Sequence, residues 1–73
     1  MPQLLTILQK AGEFLHEKGS PSPRLDAEVL LADVLGMQRI ELYANYDRPL
    51  DNKELHAYRQ AIARRGKLEP VAY

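Results

Sequence analysis

The side chains of this chain that could do chemistry are two histidines, two close carboxylate pairs and a group of cations. The histidines are His16 and His56, the pairs are Asp26 with Glu28 and Asp51 with Glu54, and the cations are Arg59, Arg64, Arg65 and Lys67. Histidine beside carboxylate can hold a divalent metal, paired carboxylates can divide general acid and base work, and guanidinium groups bind carboxylate or phosphate. Each histidine, however, has no second ligand at metal-binding spacing except carboxylates such as Glu13, which reads as surface histidine. Both carboxylate pairs fall where helices are expected to begin, where negative charge meets the positive end of the helix dipole, and neither has a partnering base or nucleophile. Cysteine is absent, which removes thiolate nucleophiles, thiolate zinc sites and disulfides. The glycines at 12, 19, 36 and 66 are isolated, so no glycine-rich loop presents its amides to phosphate. No catalytic, cofactor-binding or metal-binding residue is expected in the chain.

The elements that carry these side chains are all helical. From Pro2 to Lys18, Leu4, Ile7, Leu8, Ala11, Phe14 and Leu15 recur at spacings of three and four, one stripe of a helix, with Pro2 suited to its first turn and Gly19 to its end. Gly12 inside this stripe implies either a close approach by another helix, the expectation adopted here, or a weakened helix. Ser22 as N-cap and Pro23 as first residue open a second helix, apolar around most of its circumference except for a polar strip of Asp26, Glu28 and Asp33, and closed by Gly36. Such a helix belongs at the centre of the fold, and Leu30→Ala within it is expected to cost about 2–5 kcal/mol. Arg39 to Asn45 form a short third segment with Ile40, Leu42, Tyr43 and Tyr46 as apolar contacts. Asp51 with Glu54 makes a capping box for a fourth helix, whose inward stripe is Leu55, Tyr58, Ala61 and Ile62 and whose end is Gly66. No stretch alternates with period two, so the expected fold is all-α, a small bundle of four to five helices.

Composition narrows the function classes. With 73 residues, one core is possible and a doubly wound nucleotide-binding sheet is not. At 45% hydrophobic and 27% charged residues the chain is globular in composition, and no apolar run approaches the length of a bilayer span. A cytoplasmic monomer without membrane attachment is the expectation. The 10 Lys+Arg balance the 10 Asp+Glu, which removes the general electrostatic reason to expect nucleic acid as a direct partner.

Two local features remain open. Ala32-x-x-x-Gly36 followed by Leu42 has helix-turn-helix spacing, but the would-be recognition segment offers only Arg39 and Asn45 to base edges and places Glu41 among phosphates. Arg59, Arg64, Arg65 and Lys67 are cations suited to a helix C-terminus, and Arg64-Arg65 could also dock on an acidic partner. The tail Lys67 to Tyr73 turns extended before Pro70 and ends on Val71-Ala72-Tyr73, reading as a chain cut at a linker.

Ser22-Pro23-Arg24-Leu25-Asp26-Ala27-Glu28-Val29-Leu30-Leu31, with Arg64-Arg65-Gly66 and Glu69-Pro70-Val71-Ala72-Tyr73, resembles the N-terminal domain of the release-factor glutamine methyltransferases, the HemK or PrmC type. The resemblance runs from Ser22 onward, with the first helix matching only in length and pattern. It implies a helical substrate-recruitment domain over residues 1–66, a linker starting at 67–73, and a C-terminal catalytic domain beyond that binds S-adenosylmethionine. That enzyme class methylates N5 of the glutamine in the Gly-Gly-Gln loop of peptide-chain release factors, using an Asn-Pro-Pro-Tyr motif that does not occur in these residues. The implied partners are the release factor and the chain's own catalytic domain, and the candidate partner-facing residues are Arg39, Arg64 and Arg65. A free-standing helix-turn-helix or helical interaction module is the alternative.

Overall fold

The computed structural model describes residues 3–67, so Pro2 and the tail from Leu68 to Tyr73 lie outside the described residues. Three α-helices, α1 (Leu4–Glu17), α2 (Pro23–Leu35) and α3 (Asn52–Gly66), are joined by a 3₁₀ segment (Arg39–Asn45) between α2 and α3. Among the described residues the nearest thing to a sheet is one isolated bridge between Gln3 and Pro49. The fold is the small all-α bundle that the apolar spacing implies.

Local chemistry sets most of the boundaries. Asp51 Oδ1 accepts from the Glu54 amide at 2.8 Å while Glu54 Oε1 accepts from the Asp51 amide at 3.1 Å, so two otherwise unbonded amides at the start of α3 are satisfied reciprocally. Gly36 ends α2 in the left-handed region at φ 68°, and its amide and that of Met37 return to Asp33 and Ala32 carbonyls. Gln3 gives α1 no side-chain cap. The Leu4 and Leu5 amides instead donate to the carbonyls of Arg48 and Tyr46, at 2.8 and 3.2 Å, which ties the start of α1 to the loop before α3.

The core is continuous across all four elements. Leu4, Leu8 and Leu15 of α1, Ala27 and Leu31 of α2, Leu42 of the 3₁₀ segment, Leu50 of the following loop and Tyr58 and Ile62 of α3 are buried together. α2 packs against α1, α3 and the 3₁₀ segment, the central place expected of it. Its deepest leucine is Leu31, whereas Leu30 is only half-buried against the same cluster, so the large truncation cost expected at Leu30 moves one position. Tyr58 donates its buried hydroxyl to the Ala27 carbonyl at 2.9 Å, and burial raises its pKa well above the ordinary 10.0, keeping it a donor.

Two further expectations are corrected. A Cβ at Gly12 would meet nothing within 4 Å, so no helix approaches there. The close approach is at Gly66, where a Cβ would stand 2.7 Å from Phe14 Cε1. Gly12→Ala should therefore raise stability by roughly 0.5–1 kcal/mol through helix propensity and a less flexible unfolded chain, seen as a higher urea midpoint with an unchanged slope. A lower midpoint would contradict the open space at Gly12. The second correction is Ile40, expected as an apolar contact and found pointing into solvent. A 3₁₀ helix has three residues per turn, so Arg39, Leu42 and Asn45 share one side, leaving Ile40 and Tyr43 on another.

Candidate functional site

Of the polar strip expected on α2, Asp33 is exposed but Asp26 and Glu28 are buried, at 0% and 5% exposed. Carboxylates this deep require cations and hydrogen bonds to offset lost hydration, and each has both. Arg65, from the last turn of α3, places Nε and Nη2 each 3.0 Å from Asp26 Oδ2, and Ser20 Oγ donates to the same oxygen at 2.6 Å. Glu28 Oε2 accepts from Arg24 Nε at 3.0 Å, and Oε1 lies 3.2 Å from Arg39 Nε and accepts from the Tyr43 hydroxyl at 3.2 Å. The Glu28 hydrogen bond raises the pKa of Arg24 further above its ordinary value, so the guanidinium stays charged. The other carboxylate pair, Asp51 with Glu54, is the helix cap expected of it.

The two buried carboxylates work in different directions. Two positions apart on an α-helix is about 200° of rotation, so Asp26 holds the end of α3 on one side of α2 while Glu28 holds the 3₁₀ segment on another. The three arginines singled out in the sequence are divided accordingly. Arg65 has a side chain only 11% exposed and is engaged with Asp26. Arg39 is half-exposed over Glu28, and Arg64 is exposed on the last turn of α3. Ser20, Arg24 and Tyr43 were missed as members of this network, although the spacing of Arg24 and Glu28, one helical turn apart, was a usable signal for their ion pair.

The side chains on which a DNA-reading segment would depend are engaged within the domain. Arg39 lies on Glu28, Glu41 Oε2 accepts from the Gln38 amide at 3.1 Å, and Asn45 Nδ2 donates to the Glu41 carbonyl at 2.7 Å. Both histidines are exposed, and among the described residues no group of three His, Cys, Asp or Glu side chains is placed to hold a metal ion. No described helix is long and apolar enough to cross a membrane. What the structure builds is a charged network around α2, with the 3₁₀ segment packed on it through Leu42 and presenting Ile40 to solvent.

Residues 6–73 match the family model described as the PrmC N-terminal domain. The chain belongs to this family. Its relatives include the release factor glutamine methyltransferase of Leptospira interrogans, 53% identical over 70 residues that are 96% of this chain and 24% of that protein. The release factor glutamine methyltransferase of Geobacter sulfurreducens is 44% identical over 75 residues, 99% of this chain and 26% of that protein. A bifunctional methyltransferase of Rickettsia conorii is 36% identical over 67 residues, 92% of this chain and 13% of that protein. The chain thus spans about a quarter of the length of the first two, at 24% and 26%. No solved structure matches this PrmC N-terminal domain.

Proposed function

We propose that this PrmC N-terminal domain recruits and positions a peptide-chain release factor for a protein that methylates N5 of its Gly-Gly-Gln glutamine. The observation that carries the proposal is the match in extent: relatives named for this activity align with nearly all of this chain through 24% of their own length. In this reading methyl transfer and S-adenosylmethionine binding belong to the remaining length, the chain's own catalytic domain, and residues 67–73 begin the linker to it. The first amides of α1 already donate to Arg48 and Tyr46 carbonyls and the capping amides of α3 to Asp51 and Glu54, so the starts of these two helices offer no open cradle to a methionine carboxylate or ribose. The domain works as a cytoplasmic monomer, without direct contact to nucleic acid or membrane.

A helical module contributes to such a reaction by gathering affinity away from the reacting amide, so that the later approach of the glutamine loop becomes effectively intramolecular. In this proposal Arg39 and Arg64 meet acidic groups of the release factor, and Arg65 contributes by fixing the last turn of α3 on which Arg64 sits. In the complete protein, Arg39→Gln with Arg64→Glu should weaken release-factor binding and raise KM for methylation, while the melting temperature stays near wild type. Wild-type binding and KM in that variant would remove the two arginines from the partner surface.

A further inference from the structure

We propose that the outward side of the 3₁₀ segment, where Ile40 and Tyr43 are exposed and Tyr43 shares Glu28 with Arg24 and Arg39, docks an apolar segment of the protein substrate flanked by acidic side chains; this rests on the recruiting role proposed above. Among the described residues Ile40 and Tyr43 are the large hydrophobic side chains left exposed, at 71% and 48%. Both come from one seven-residue segment, one 3₁₀ turn apart, so they present a single apolar spot rather than scattered exposure.

The spot is held in shape before any partner arrives. The Tyr43 hydroxyl donates to Glu28, and its ring meets Tyr46 edge to face at 5.7 Å and 85°. The Tyr46 hydroxyl in turn lies 3.4 Å from Arg24 Nη2. Because the carboxylate that organises these groups is itself buried, little side-chain freedom remains to be lost on binding. Guanidinium groups also stand beside the spot. Arg24 and Arg39 both place Nε on Glu28, so two guanidiniums share one buried carboxylate, each arginine side chain being 49% exposed, while the Glu41 carboxylate on the same segment is turned to the Gln38 amide. An aspartate or glutamate of the partner fits guanidinium groups held in this way.

The surface and the end of α3 lie on different sides of α2. Arg65 holds the end of α3, from which the chain continues, against the Asp26 side of α2, whereas the 3₁₀ segment sits over Glu28, about 200° around the helix. The docking side therefore looks away from the end of α3.

The test uses the complete protein and a purified release factor, with Ile40→Glu as the probe and Ala57→Glu, on the exposed side of α3, as the charge-matched control. Ile40→Glu should weaken Kd about tenfold, as expected for losing one apolar anchor, and the loss should fall on KM rather than kcat. Ala57→Glu should do neither. Ile40→Ser, which adds no charge, carries the same expectation if Ile40→Glu folds poorly. Deleting residues 1–66 in parallel tells two failures apart. If the deletion leaves Kd at wild type, the recruiting role falls and this surface with it. If the deletion weakens Kd while the Ile40 variants do not, the surface alone is overturned. It is overturned equally if those variants leave Kd intact and lower the melting temperature of the complete protein, which would make the segment an internal contact, or if what they abolish is binding of an RNA or DNA oligomer.

Discussion

Arg65→Ala should cost about 3–5 kcal/mol, the loss expected when one partner of a buried ion pair is removed. The substitution takes both guanidinium contacts from Asp26 Oδ2, on a residue with 0% exposure, and detaches the last turn of α3 from α2. A core of this size supplies no more than about 3–5 kcal/mol in total, so the 73-residue chain should be largely unfolded at room temperature. Its far-ultraviolet circular dichroism would show this directly. Replacing both partners with apolar residues of similar bulk, Asp26→Leu with Arg65→Met, should recover most of the loss, because no desolvated charge is then left behind. A loss below about 1 kcal/mol for Arg65→Ala would mean that the pair is solvated, since exposed ion pairs contribute at that level.

The second large effect is at Leu31. Truncating this fully buried side chain to alanine should cost about 2–5 kcal/mol, and Leu30→Ala less than half as much because Leu30 keeps part of its surface in water. Urea melts of the two variants side by side give the order. If Leu30→Ala proved the worse, the rotational setting of α2 about its axis would be wrong, and with it the positions of Asp26 and Glu28.

That setting was the part of the fold hardest to see in the sequence. Helix ends were legible because their causes are local: Pro23 opening α2, Gly36 turning left-handed, Asp51 and Glu54 exchanging hydrogen bonds three residues apart. α2 is apolar on nearly every side, so its spacing shows that it is central without showing which way Leu30 and Leu31 face. The burial of Asp26 depends on Arg65, 39 positions away, and that of Glu28 on Tyr43, 15 away, and no local pattern announces either partner. Ile40 was misplaced for a different reason: every apolar side chain of the short segment was expected to be a contact, whereas with three residues per turn Leu42 faces the core and Ile40 does not. Of the three candidate arginines, the sequence identified groups that can bind carboxylates, but it could not tell that Arg65 already has one inside the domain.

The separation of Asp26 from Arg65 also matters while the chain is being made. Synthesis runs from the N-terminus at about 5–20 residues per second, so a gap of 39 residues means that Asp26 exists for about 2–8 s before its guanidinium partner has been added. During that interval Asp26 can meet Ser20 but not Arg65, and Leu8, Leu15 and Leu31 lack the cover that α3 provides. The described fold is complete only once the last turn of α3 is available to α2. The ion pair thus ties the start of α2 to the last turn of the bundle to be synthesised.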